Sequence, residues 1–249
     1  MRSIRSPLDG FGSPFGQQQR NSWSPAAVFG ASDSGFLLDG RDPATLFADE
    51  AGETPADLTV ALALVVDKSG NAINATQSST GFRPTRQTTG MQFDGSDDRL
   101  TTAFVPGAAG TLVARFKANE GSVGTRVIVG SSGSGTRALL ALDANGRVSG
   151  GVGANSANVI FGGPDLGSDW HTGALLWDGT TDRLYVDGAE VYSGAQSGST
   201  INGLGMAVGA LNSSGTPVFF FPGPISNVLA INRALGPAEI VNLHNNWSA

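Results

Sequence analysis

The side chains best able to do chemistry are carboxylates, and the densest group is Asp94, Asp97 and Asp98, interrupted by Gly95 and Ser96. Several oxygens on one short loop could hold calcium, which takes six to eight oxygen ligands. The spacing is not that of an EF-hand loop. The alternative is a solvated turn in which Asp97 or Asp98 pairs with Arg99 or accepts hydrogen bonds from local amides. Asp165, Asp169 and Asp178 are more scattered. Cys is absent, which excludes disulfides and thiolate chemistry, and His171 and His244 are the only histidines, too few for a metal centre built on several imidazoles. Both read as surface residues of a strand or helix. No Gly-x-Ser-x-Gly elbow supports a Ser-His-Asp triad. GSSGSGTR at 130–137 is rich in Gly but lacks the Lys-Ser/Thr ending of a phosphate loop, and reads as a flexible hairpin.

Aromatic residues offer a second chemistry, the stacking of a sugar ring. Trp170, Trp177, Tyr185 and Tyr192 cluster in WHTGALLWDGTTDRLYVDGAEVYSG, residues 170–194. Trp177 shares strand parity with Leu175 and is expected in the core, as is Leu184. Trp170 and Tyr192 lie nearer strand ends and are the candidate glycan contacts, with core or rim packing as the competing role. In Phe219-Phe220-Phe221, strand alternation must turn at least one ring away from its neighbours, to cover another part of the chain, a partner or a fellow subunit.

These residues need a scaffold, and turn chemistry defines it. Asp178-Gly179 and Asp187-Gly188, flanked by β-forming runs, predict an antiparallel meander, and Asn145-Gly146 predicts a hairpin between Leu142 and Val148. Further short strands are read at 91–93, 100–105, 111–116, 126–130, 138–142, 158–161, 206–210, 218–221 and 225–231. About a dozen strands with turns every eight to twelve residues indicate an all-β, two-sheet antiparallel sandwich. The stretch 232–244 closes it with a short helix that has Pro237 in its first turn and Ile240, Leu243 and Leu235 on one face.

Upstream, residues 24–89 form a turn-rich connector packing on or leading to the sandwich. Ser24-Pro25 and Asp42-Pro43 start capped helical turns, Phe36-Leu37-Leu38 is a strand, and Leu58 to Val66 is an apolar run that periodicity cannot assign to strand or helix. Residues 1–23 read as an extended arm. SPLDGFGSPFGQQQR, with two Ser-Pro pairs and three Gly, forbids regular structure, yet apolar anchors punctuate it. Ile4, Leu8, Phe11, Pro14, Phe15 and Arg20 are the candidate partner-anchoring residues, because apolar anchors offset the entropy lost when such a segment orders on a partner. A floppy terminus is the alternative.

With 249 residues, 36 Gly, 14% charged residues and 40% apolar residues, the chain can bury a core and is poorly suited to a helical fold. A net charge of -6 gives no basis for binding nucleic acid, although Arg2, Arg5 and Arg20 face a single acid, Asp9, in the first twenty residues. The N-terminus lacks the apolar core of a signal peptide and no run is long enough to span a bilayer, so synthesis in the cytoplasm without membrane insertion is expected.

FDGSDDRL (93–100), DWHTGALLWDG with DRLYVDGAEV (169–191), and PGPISNVLAINRALGPAEIVNLH (222–244) together resemble the concanavalin A-like, laminin-G-type jelly roll over residues 90–249. Glycosidases of that superfamily would carry Glu-x-Asp-x-x-Glu on a strand, so that one carboxylate attacks and another donates a proton. None of Glu50, Glu53, Glu120, Glu190 and Glu239 lies in that pattern, so no enzyme is expected. LLDGRDPATLFADEAGETPA (37–56) and VVDKSGNAINATQSSTGFRPT (65–85), with SPLDGFGSPFG (6–16), resemble segments of structural proteins of tailed phages, prophages and gene-transfer particles. That resemblance implies a multicopy virion protein of capsid-decorating, head-fibre or tail-fibre type. Its arm would bind capsid or tail proteins, and its jelly roll would stabilise the particle or contact host-surface glycans. The alternative function is a free carbohydrate-binding lectin module.

Overall fold

The computed structural model describes residues 23–117, 124–133, 136–154, 160–196 and 203–248. In chain order the strands are β1 (Gly35–Asp39), β2 (Leu46–Phe47), β3 (Leu64–Val65), β4 (Ala75–Thr76), β5 (Thr85–Gln87), β6 (Gly90–Asp94), β7 (Leu100–Thr102), β8 (Gly110–Lys117), β9 (Arg126–Gly133) and β10 (Thr136–Leu142). They continue as β11 (Val148–Ala154), β12 (Ile160–Gly162), β13 (Trp170–Trp177), β14 (Thr181–Val186), β15 (Ala189–Ala195), β16 (Ala207–Val208), β17 (Leu211–Ser213), β18 (Thr216–Val218) and β19 (Pro222–Ile231), followed by helix α1 (Pro237–Ser248).

Two sheets face each other. The first runs β15-β14-β13-β8-β19-β6-β5, with β1 sharing an edge of β19 with β6. The second runs β12-β11-β10-β9-β16-β7-β4-β3-β2, with β17 and β18 attached beside β9. Among the described residues, all pairings are antiparallel except β17 on β9. This is the all-β jelly-roll sandwich with a short terminal helix that turn spacing and resemblance predict. The hairpins form where expected: Leu142 pairs with Val148 across Asn145-Gly146, and Val186 pairs with Ala189 across Asp187-Gly188, whose φ angles of 50° and 82° are those of a two-residue turn.

Residues 24–89 supply five strands to the two sheets. β1 pairs along its whole length with β19, from Gly35 opposite Ile231 to Asp39 opposite Asn227. The apolar run at 58–66 is extended: Leu62 N–H donates to the Pro84 carbonyl and Arg86 N–H to the Val60 carbonyl, leading into β3. Ser24 and Asp42 cap 3₁₀ turns by accepting from Ala26 N–H (3.3 Å) and Ala44 N–H (3.1 Å).

Within the first sheet, strand parity sorts the apolar residues between two clusters. Phe36, Leu38, Phe116, Leu175, Trp177 and Leu184 point between the sheets, whereas Leu37, Val113, Leu176 and Leu229 point outward from the first sheet. Outward-facing apolar residues need cover. Helix α1 supplies it with Ile240, Leu243 and Trp247, and this is why Phe36-Leu37-Leu38 and Ala174–Trp177 read as continuous apolar runs. Arg233 fastens the helix start by pairing with Glu239 (2.6 Å) and Asp33 (3.0 Å), and by donating to the Val28 carbonyl. Between the sheets, Trp177 donates from Nε1 to the Gly107 carbonyl (3.0 Å), and its ring lies so close to Gly110 that a Cβ there would sit 2.2 Å from it.

The three consecutive phenylalanines do not extend a strand. β18 ends at Val218, and Phe219 adopts a φ of 55°, outside strand geometry. Phe221 then enters the core edge-to-face with Phe116, with ring centres 5.9 Å apart, and Phe219 stays 53% exposed.

Candidate functional site

Asp94, Asp97 and Asp98 are brought together: one carboxylate oxygen from each lies within 4.8 Å of the others. The loop is built on Asp94 at the end of β6. Its Oδ1 accepts the N–H groups of Ser96 (2.8 Å), Asp97 (3.2 Å) and Asp98 (3.3 Å), and Asp98 Oδ2 accepts Asp94 N–H in return (3.1 Å). Burial favours the neutral form of Asp94, but these N–H donors outweigh it and hold the carboxyl below its ordinary value. For Asp98 the balance reverses. Burial, reinforced by the charges of Asp94 and Asp97, pushes it up to about 6. Arg99 pairs with neither expected carboxylate. It donates to the Asp97 carbonyl (2.9 Å) and lies over the Phe82 ring at 4.3 Å. A divalent cation would relieve the repulsion among three clustered carboxylates, and Asp94, Asp97 and Asp98 are the residues that would hold calcium.

Arg99 also joins this loop to a groove of about 410 Å³ on the outer face of the second sheet. Thr76, Thr101 and Ala207 form its floor, in register across β4, β7 and β16. Asn212 walls one side, oriented by donating to the Gly205 carbonyl (2.7 Å) and accepting from Gly215 N–H (2.9 Å). Gln77, Ser78 and Glu50 add to the polar lining.

Trp170 and Tyr192 lie on opposite faces of the first sheet and cannot form one stacking platform. Tyr192 pairs with Leu184 and packs half-buried against the inter-sheet core. Trp170 has the parity of Ala174 and Leu176 and faces outward beside the C-terminus of α1. There it lines a pocket of about 170 Å³ with Arg41, Arg115, Thr89, Trp247 and Ser248. The Arg115 guanidinium lies 5.6 Å from the Trp170 ring centre and donates to Ser248 Oγ (2.8 Å). Arg41 donates to the Trp247 carbonyl (3.1 Å). Burial, and after it the neighbouring Arg41 charge, lower the Arg115 pKa. No local spacing in the sequence announces this pocket, because Arg41, Arg115, Trp170 and Trp247 come from a loop, two strands and the helix.

The two histidines also converge. His171 Nδ1 lies 2.8 Å from Asp187 Oδ2, and His244 Nδ1 lies 3.8 Å from Asp187 Oδ1 and 3.2 Å from Thr172 Oγ1. Neither is an isolated surface residue; with Asp187 they tie β13, the β14–β15 turn and α1 together. The anchoring residues expected in the arm, Ile4, Leu8, Phe11, Pro14, Phe15 and Arg20, lie outside the described residues.

The family model described as the concanavalin A-like lectin/glucanases superfamily matches residues 94–241, more than half of the chain. The chain belongs to this superfamily. Among solved structures, the fold is similar to that of Trypanosoma rangeli sialidase in complex with 2,3-difluoro-KDN, at 20% identity and a TM-score of 0.60 over 87% of this chain. Trypanosoma rangeli sialidase itself aligns at 18% identity with a TM-score of 0.59. A mutant NanB sialidase from Streptococcus pneumoniae aligns at 20% identity with a TM-score of 0.51, over 60% of this chain and 26% of the sialidase. The chain spans 33% of the Trypanosoma sialidase, so this likeness concerns the concanavalin A-like fold. A search of curated proteins returns no match.

Proposed function

We propose that the chain is a non-enzymatic structural protein of a phage-type virion, of capsid-decorating, head-fibre or tail-fibre type. Residues 1–23 attach it to capsid or tail proteins, and the concanavalin A-like domain is displayed to contact host-surface glycans or stabilise the particle. The open groove across β4, β7 and β16 is the observation that supports glycan contact. Hydroxyls of Thr76, Ser78 and Thr101, the Asn212 amide and the Arg99 guanidinium line it, and these groups suit hydrogen bonding to sugar hydroxyls. The carboxylate lining it is Glu50, whereas two-carboxylate glycoside hydrolysis needs an opposed pair. Virion attachment rests on the resemblance of residues 1–89 to phage structural proteins and on the apolar spacing of the arm.

Two measurements test the two halves of this reading. Deleting residues 1–23 should leave a folded protein that no longer joins particles, and unchanged incorporation would refute the anchoring role. A glycan array probed with the chain, with and without calcium, should show weak binding of neutral glycans that a Thr101→Trp block in the groove removes. Absence of binding to every glycan would sink the lectin role. If glycans bind and the arm proves dispensable for particle entry, a free lectin module is the reading that survives.

A further inference from the structure

The Trp170 pocket differs in chemistry from the groove. It is small, it lies on the other sheet, and two guanidinium groups and two indoles dominate it. Among the described residues, the positive charge there is poorly compensated, and Arg115 has no carboxylate within ion-pair distance. Arg41 reaches Asp39 only at 3.7 Å, and Lys68 competes for that carboxylate at 3.5 Å. Asp187, whose charge is felt at Arg115, is engaged by His171 and His244. Lys117 pairs in register with Trp170, adding a third cation to the same sheet face.

One structural duty accounts for part of this arrangement. Cations at the C-terminus of α1 complement its dipole, and Arg41 satisfies the Trp247 carbonyl. That duty uses one N–H of Arg41, while Arg115 reaches, among the described residues, only the Ser248 hydroxyl, and each guanidinium carries five donors. The planar fork of guanidinium donors matches an oxyanion such as carboxylate or sulfate, and an indole face beside it suits the apolar face of a pyranose.

We propose that Arg41, Arg115 and Trp170 form a binding site for an acidic saccharide, the arginines taking its carboxylate or sulfate and Trp170 the ring that bears it. This proposal rests on the glycan-contact reading above and specifies a second site and a class of sugar for it.

The test compares ligands that separate the anionic charge from the sugar ring. The full chain is titrated with glucuronate, its neutral methyl ester, glucose 6-sulfate and inorganic sulfate, following indole N–H resonances by NMR. Glucuronate or glucose 6-sulfate should bind at least about tenfold more tightly than the ester, and the relative strength of those two identifies the anion preferred. Affinity should fall as salt is raised from roughly 10 mM to 150 mM. Arg115→Met should lower acidic-sugar affinity about tenfold or more, and Trp170→Ala should remove the advantage of a sugar over inorganic sulfate. Equal binding of glucuronate and its ester would overturn the proposal, as would sulfate alone binding as well as either acidic sugar. The charge comparison needs no variant, so it stands even if a substitution unfolds the protein. If neutral glycans bind in the groove and acidic sugars do not bind here, this inference fails and glycan contact survives. If no sugar binds anywhere, both fail.

Discussion

Asp182→Asn should make the protein more stable at neutral pH. Asp182 lies on β14 with the inward parity of Leu184 and Val186 and is 2% exposed, and its Oδ1 is buried without a hydrogen-bond partner. Burial, and after it the charge of Asp178, pushes its carboxyl from 3.8 up to about 6. As pH rises through that window, the unfolded chain releases the proton first while the folded chain still holds it, so folding loses stability. About 1.4 kcal/mol per unit over roughly two units sets a ceiling near 3 kcal/mol, lost between about pH 4 and pH 6. Asparagine keeps the shape and removes the ionisation. Urea unfolding followed by Trp fluorescence should show a gain of about 1–3 kcal/mol for the variant at pH 7.5, shrinking toward zero near pH 3.5. The reasoning is refuted if the variant is less stable than the parent at pH 7.5, or if both lose the same stability between pH 4 and pH 6.

Other outcomes follow from the same structure. Trp177→Ala removes the largest inter-sheet side chain and its bond to the Gly107 carbonyl, and should cost about 3–5 kcal/mol by urea unfolding. Asp187 shows the opposite pH behaviour to Asp182: burial favours its neutral form, but His171 and Thr172 N–H outweigh that and depress its pKa. Its contribution is therefore present above about pH 4 and lost as pH falls through the depressed value; because the side chain is more than a third exposed and solvent screens it, Asp187→Asn should cost no more than about 1 kcal/mol at pH 6, measured as a thermal shift, and the cost should shrink as pH falls below about 4. If Asp94, Asp97 and Asp98 hold calcium, added calcium should raise Tm at pH 7.5, and the rise should fade as pH falls through about 6, where Asp98 takes up its proton. Asp98→Asn should abolish that rise, and a thermal scan indifferent to calcium at pH 7.5 would remove the metal from the account.

The sandwich was legible in the sequence because turns and strand alternation are local. Asp-Gly and Asn-Gly pairs mark hairpins through backbone conformation alone, and Trp177 shares parity with Leu175 wherever the strand finally lies. The Asp94 loop was legible for the same reason, its hydrogen bonds spanning only two to four residues. What the sequence left open depended on partners distant along the chain. The run at 58–66 became extended because residues 84–86 offered it backbone donors and acceptors. Trp170 and Tyr192 looked equivalent as strand-end aromatics, yet sheet pairing turned one toward α1 and the other toward the core. The meeting of Arg41, Arg115 and Trp170, and of both histidines at Asp187, required the closing helix to pack across the first sheet. Such juxtapositions span up to 206 residues of chain. The sequence by itself therefore determined strands, turns and their inward faces, and only the tertiary structure decided which charged groups share a pocket, because that depends on how distant elements pack rather than on local spacing.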